Sequence, residues 1–179
     1  MIDEKALLTA LQDASAREKA FTRLMREYQE PLYWQIRRMV LSHSDADDVL
    51  QNTFIKAWSA IDSFRGESRL QTWLFRIAIN ESLNHLSKKH RLISIDQADL
   101  SVADTLASDP YFDGDQLQSR FQSAISTLPD KQRLVFNLKY FDEMKYEDMS
   151  QLLGTSIGAL KASYHHAVRK ISAFFEDNG

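Results

Sequence analysis

The sequence has no cysteine, which excludes disulfides, thiol nucleophiles and thiolate metal sites and leaves the fold to rest on packing. No apolar run approaches the roughly 18 residues that cross a bilayer, so membrane insertion is not expected. The opening MIDEKALLTALQDAS has acids and a polar break where a secretory signal has a basic and then an apolar stretch, and cytoplasmic residence is the expectation. Strand-like alternation is missing as well. So are an H-E-x-x-H pair, a phosphate-binding glycine loop and a nucleophile elbow. Asp45-Ala46-Asp47-Asp48 lacks the glycine and the closing glutamate of a calcium loop. His85 and His90 are badly aligned on a helix for shared ligation, and the adjacent His165 and His166 diverge around one. No catalytic residue, metal or cofactor is therefore expected, and the protein is read as no enzyme.

The 179 residues are 44% hydrophobic and 26% charged, the range of folded soluble proteins. A net charge of −3 argues against indiscriminate coating of nucleic acid. The charge is, however, segregated. Residues 65–91 hold six Lys/Arg against two acids, residues 92–119 hold six aspartates and no base, and residues 156–170 hold three bases and no acid.

Apolar positions recur at helical spacing from Ala16 to Leu41 (Phe21, Leu24, Met25, Tyr28, Leu32, Ile36), with a kink expected at Pro31. A second helix, capped by Ser44 or Asp45, runs through Val49, Leu50, Phe54 and Trp58 to Ile61. Ser63 to Ser68 reads as a loop around Gly66, and a third helix extends from Thr72 to about His90. Periodicity then fades where the aspartates gather, and a linker is placed there. Leu117–Ser126, Pro129 to about Phe141, Tyr146–Leu153 and Ser156–Phe174 read as helices. The expectation is an all-α protein of two small helical domains, residues 1–93 and 117–179, joined by an acidic linker at 94–116.

Gly154 ends one short helix and Thr155 or Ser156 caps the next, the spacing of a helix-turn-helix. On the second helix Ile157, Leu160, Tyr164, Ala167, Val168 and Ile171 form an apolar side. Gly158, Ala162, His165, His166 and Arg169 form a small or basic side, with Lys161 on its shoulder. Small residues allow close approach to a major groove, and the lack of carboxylates avoids repulsion by phosphate.

Two segments resemble one family. DADDVLQNTFIKAW with SFRGESRLQTWLFRIAINESLNHLSKKHR is similar to region two of the bacterial sigma factors of the extracytoplasmic-function (ECF) class. LPDKQRLVFNLKYFDEMKYEDMSQLLGTSIGALKASYHHA is similar to their region four. The order is right and nearly the whole chain is covered. The resemblance implies a subunit that binds core RNA polymerase and directs promoter-specific initiation. It implies promoter DNA as a partner, an inhibitory anti-sigma factor by family habit, and a monomer when free.

Residue by residue, the resemblance places Asp45, Asp47, Asp48, Leu50, Gln51 and Phe54 on the face that docks to core polymerase, with Trp58 expected in the core. Phe64, Arg65, Ser68 and Arg69 fall in the loop that captures an extruded minus-10 base. Arg76, Asn80, Asn84, Lys88 and Lys89 fall on the helix that follows the opened strand, and Trp73 is expected to pack. Amides can read base edges and cations can hold phosphates, so these residue types suit the role. Ser156, Lys161, Ser163, His165, His166 and Arg169 are the minus-35 candidates. Ser163 and His166 stand where the family commonly has arginine, which lowers fixed charge, and the usual minus-35 preference is not carried over. The alternatives are a stand-alone helix-turn-helix regulator and a helical adaptor that binds only protein.

Overall fold

The computed structural model describes residues 3–96 and 116–177, and the expected linker lies largely outside the described residues. Among those described there are eight helices and no strand: α1 (Glu4–Gln12), α2 (Arg17–Val40), α3 (His43–Ala60), α4 (Leu70–Asp96), α5 (Gln116–Ser126), α6 (Asp130–Tyr140), α7 (Tyr146–Leu153) and α8 (Ile157–Asp177). The all-α class is as expected. A single 3-10 turn, Ile61–Ser63, follows α3.

Helices α1 to α4 pack as one bundle around Leu24, Leu32, Ile36, Val49, Leu70 and Leu74, all essentially without exposure. Pro31 lies inside α2. The reversal into α3 is made by Leu41 at φ 66°, a left-handed conformation that favours glycine. Here a leucine takes it, its amide donating to Arg37 O at 3.0 Å while its side chain is buried. The cap of α3 is Ser42, not Ser44 or Asp45: its hydroxyl accepts from the Asp45 amide.

Sequence periodicity did not single out α1, yet Leu7 and Leu11 are buried in the core and the Glu4 carboxylate accepts from the Leu70 amide. One of the orphan donors that open α4 is thus satisfied from the far end of the chain.

Helices α5 to α8 form the second body, with Ile125, Leu128, Phe136, Ala167 and Ile171 at its centre. Phe136 stacks on Tyr164 at 5.7 Å and 13°. Arg133, 4% exposed, clamps the α5–α6 turn by donating to Ser126 O and Asp130 Oδ1. Burial lowers its pKa, with Asp130 opposing. Gly154 ends α7 at φ 63°, as its position predicts, and Ser156 accepts from the Ala159 amide at the start of α8. The two bodies touch: α2 packs on α6 and α4 on α7.

Candidate functional site

Three surfaces carry the functional candidates. The first is the Phe64–Arg69 loop and the open side of α4. The loop is pinned at both ends. Arg17 grips Asp62 through two bonds, of 2.6 and 3.2 Å, just before it, and Glu4 holds the Leu70 amide just after it. Gly66 makes the turn at φ 71°, where a side chain would be strained. Phe64 is not a free ring: it is 9% exposed and lies 5.2 Å from Trp73, which packs as expected.

Arg65, Arg69, Arg76, Asn80, Asn84, Lys88 and Lys89 are exposed, and Ser68 is half-buried. Arg76, Asn80, Asn84 and Lys88 recur at every fourth position along one side of α4, with Arg65 and Arg69 in the loop before it and Lys89 toward α3, so this surface offers base-edge partners beside phosphate partners. Two of the cations are engaged within the molecule. Lys89 Nζ lies 2.7 Å from Asp45 Oδ2, and Arg76 Nη2 donates to Gln151 O at 3.3 Å.

The second surface is the exposed side of α8. Ser156, Lys161, His165, His166 and Arg169 are exposed together with Gly158 and Ala162, while Ser163 is half-buried. Leu160, Ala167 and Ile171 anchor the opposite side, but Val168, expected to be apolar packing, is 38% exposed. Tyr146 at the start of α7 receives the Lys139 and Lys161 ammonium groups at 5.1 and 5.7 Å from its ring centroid. The helix-turn-helix therefore presents on its outer side a stretch of α8, residues 157–170, that carries cations and no carboxylate.

The third surface lies between α2 and α3. Met25, Ile55 and Trp58 are large, apolar and exposed by 38%, 62% and 43%. They border an open groove with Asp47, Leu50 and Gln51, whose base is Phe54. Phe54 is 6% exposed and therefore mainly packs, edge-on to Phe21. Trp58, expected in the core, instead covers Phe21 edge-on at 5.0 Å and leaves its outer part in solvent. Asp47 and Asp48 are exposed, whereas Asp45 turns toward α4 between Lys89 and His85.

The sequence carries a signal that would have found Ile55 and Trp58. Gln51, Ile55 and Trp58 share one helical register, while Ala46, Val49, Thr53 and Ala57 share the buried one. An acidic and apolar surface suits a protein partner with basic groups and repels DNA.

A helical bundle with an amide-and-cation face, followed by a helix-turn-helix, is a two-part arrangement whose chemistry suits nucleic acid. Comparison with known proteins fixes the family. Residues 24–92 match the model for Sigma-70 region 2 and residues 118–171 the model for Sigma-70, region 4. The chain is 30% identical over 160 residues to the RNA polymerase sigma-H factor of Pseudomonas aeruginosa, covering 84% of this chain and 83% of that one. It is 29% identical over 176 residues to the ECF RNA polymerase sigma-E factor of Haemophilus influenzae, covering 93% and 92%.

Among solved structures it resembles the sigma factor RpoE in complex with the anti-sigma factor NepR from Bartonella quintana. The TM-score is 0.73 at 26% identity, over 88% of this chain and 98% of that one. It also resembles CnrH in complex with the cytosolic domain of CnrY, with TM-score 0.67 at 25% identity, over 98% and 99%. The chain belongs to the sigma-70 family and is an ECF-class sigma factor, a protein that directs transcription initiation. The stand-alone regulator and the protein-only adaptor are set aside.

Proposed function

We propose that the three surfaces divide the work of initiation among themselves. The α2–α3 surface, with Asp47, Asp48, Leu50, Gln51, Ile55 and Trp58 outermost and Phe54 beneath, docks to core RNA polymerase. The loop Phe64–Arg69 and the α4 side with Arg76, Asn80, Asn84, Lys88 and Lys89 hold the unpaired minus-10 strand. Ser156, Lys161, Ser163, His165, His166 and Arg169 on α8 meet the minus-35 duplex. The functional units are residues 1–93 and 117–179, with 94–116 as the tether. Asp45 acts from behind, by setting Lys89 and the α3–α4 join, rather than by touching polymerase.

The observation that carries this reading is the segregation of chemistry. Exposed cations and amides lie on α4, exposed cations and imidazoles on the outer side of α8, and exposed apolar side chains beside carboxylates are gathered on α2–α3. Phosphate is attracted to the first kind of surface and repelled by the second, and desolvation of the apolar groove drives protein association there. Nucleotide addition belongs to the polymerase, and this chain supplies position and strand capture. It acts in the cytoplasm, as a monomer when free; among the described residues no helix is long and apolar enough to cross a membrane. The likeness to a sigma factor solved with its anti-sigma factor supports such an inhibitor as a further partner.

The test is transcription from a genomic fragment library with purified core polymerase and this protein, mapping the RNA 5′ ends. Initiation at a shared pair of upstream elements is expected. A protein that leaves core activity and start sites unchanged contradicts the reading.

A further inference from the structure

Helix α1 belongs to none of the three surfaces, yet each of its ends reaches one root of the Phe64–Arg69 loop. At its start, the Glu4 carboxylate accepts from the amide of Leu70, the first residue of α4. At its end, the Leu11 carbonyl accepts from Arg17 Nε at 2.9 Å, and the same guanidinium grips Asp62 through its other two nitrogens. Asp62 lies in the 3-10 turn that leads into the loop, and α1 packs on that turn. Leu7 and Leu11, buried in the core, fix α1 between the two attachments. Nine residues long, the helix is a rigid spacer of about 13 Å at ~1.5 Å per residue.

The loop's own residues cannot supply these contacts. Arg69, whose carbonyl accepts from the Trp73 amide at 3.1 Å and so opens α4, has only donors on its side chain and cannot cap the helix. Leu70 is 0% exposed, so its amide depends on the Glu4 carboxylate, whose charge also suits the positive end of a helix. A planar guanidinium bonded through all three nitrogens has a single orientation, which fixes Asp62 in direction as well as distance.

The tip of the loop is left open. Arg65, Gly66 and Glu67 are exposed, and among the described residues nothing lies within 4 Å of where a side chain on Gly66 would begin. A loop fixed at its roots loses less conformational freedom on binding than one that must first be ordered. Glu4 and Arg17 both precede residue 24, where the match to region 2 begins.

We propose that Glu4 and Arg17 are positioning residues for base capture: through α1 they hold the two roots of the Phe64–Arg69 loop at the spacing in which its tip receives an extruded minus-10 base. The inference rests on the reading of that loop as the capture loop, and its test separates the two.

The test uses holoenzyme assembled from purified core polymerase and the full chain, with a dye-labelled single strand spanning the minus-10 element of a promoter located by start-site mapping. The same strand is also made with one abasic site at each position in turn. In the parent, one position is expected to carry a penalty of about tenfold in affinity, the value of one stacked base. Glu4→Ala, which takes the acceptor from the Leu70 amide, is expected to cut that penalty to about twofold, as for a loop that stands ready about one-tenth of the time. The abasic strand should bind as before. Glu4→Gln keeps a carbonyl oxygen for the amide and is expected to retain the parent's penalty. Asp62→Ala, at a side chain 68% exposed, leaves the packing intact. It is expected to lower the penalty only to about fivefold, because an ion pair so open to solvent orders its partners weakly.

Lost stability alone weakens intact and abasic strands alike and does not move the ratio between them. A Glu4→Ala protein that melts earlier but keeps the parent's penalty therefore overturns the inference, leaving Glu4 as a cap of α4 only. A Glu4→Gln protein whose penalty falls as far as that of Glu4→Ala overturns it too, and an unchanged penalty in Asp62→Ala overturns the part given to Arg17. If the parent shows no penalty at any position, the reading of Phe64–Arg69 as the capture loop fails, and the inference with it.

Discussion

Lys89 Nζ lies 2.7 Å from Asp45 Oδ2, and His85 Nε2 lies 3.3 Å from the other oxygen of the same carboxylate. The acid on α3 thus holds Lys89 of α4 with His85 beside it, and a phosphate must displace it to reach Lys89. Because Lys89 is nearly half exposed, the pair is worth no more than about 1 kcal/mol. Asp45→Asn should therefore cost at most that much in urea unfolding. It should also steepen the salt dependence of single-strand binding, by up to ~0.7 in the log–log slope if Lys89 is freed to neutralise one more phosphate. An unchanged slope would place Lys89 outside the interface.

Trp58 and Phe54 stand one helical turn apart and should behave in opposite ways. Trp58 is 43% exposed and Phe54 is 6% exposed. Trp58→Ala should weaken binding to core polymerase by about 2 kcal/mol or more, with little change in melting temperature. Phe54→Ala should cost about 3–5 kcal/mol of folding stability and so reveal nothing specific about docking. Titration of labelled protein with core, alongside thermal melts, separates the two. Core affinity unaffected by Trp58→Ala would remove the α2–α3 groove from the docking surface.

Asn84 is exposed on α4, in register with Lys88. Its amide can both donate to and accept from a base edge, whereas a lysine ammonium can only donate. Asn84→Ala should change the preference at one minus-10 position by about 1–3 kcal/mol while core binding and stability stay as they were. Lys88→Ala should weaken all sequences alike. Transcription from a panel of single-base promoter variants distinguishes these patterns, and the same ranking before and after Asn84→Ala would count against base reading.

Burial raises the Asp142 carboxyl above its ordinary value even though Arg38 pulls it down, and burial lowers the Arg38 guanidinium. A carboxyl whose folded value is raised contributes stability that is fully present below its unfolded value, near 3.9, and that is lost as pH rises through the folded one. Between pH 7 and 4, the unfolding free energy of the parent relative to Asp142→Asn should therefore shift in favour of the parent as pH falls. The opposite shift would mean that the Arg38 charge outweighs burial and that the ion pair holds α2 firmly to the α6–α7 turn.

Much of the architecture could be read from periodicity and turn chemistry. Gly154 and Ser156 announced the helix-turn-helix, and the apolar register of α2, α3 and α8 matched what is buried except at Met25, Trp58 and Val168. Contacts made by residues far apart in the chain were not legible. Nine-residue α1 is too short for its pattern to stand out, and its role depends on Glu4 reaching Leu70. Leu41 occupies a left-handed position without being glycine because the burial of its side chain offsets the strain. Arg38, Asn137 and Asp142 are unremarkable by position, and only the packing of α2 on α6 brings them together.

For the candidate site, the cationic and amide positions lay on exposed faces as residue type suggested. The sequence misjudged burial at Trp58, which does not enter the core, and gave no sign that Phe64 packs on Trp73. An aromatic side chain satisfies either environment, so its identity alone does not choose between them.

Site-specific photocrosslinking in one holoenzyme–promoter complex tests the division of labour most directly, with a photoreactive residue at Asn84 in one preparation and at His165 in another. The Asn84 probe should label the single-stranded minus-10 segment and the His165 probe the duplex near minus-35. Labelling of the same promoter segment by both probes, or of polymerase alone by either, would contradict it.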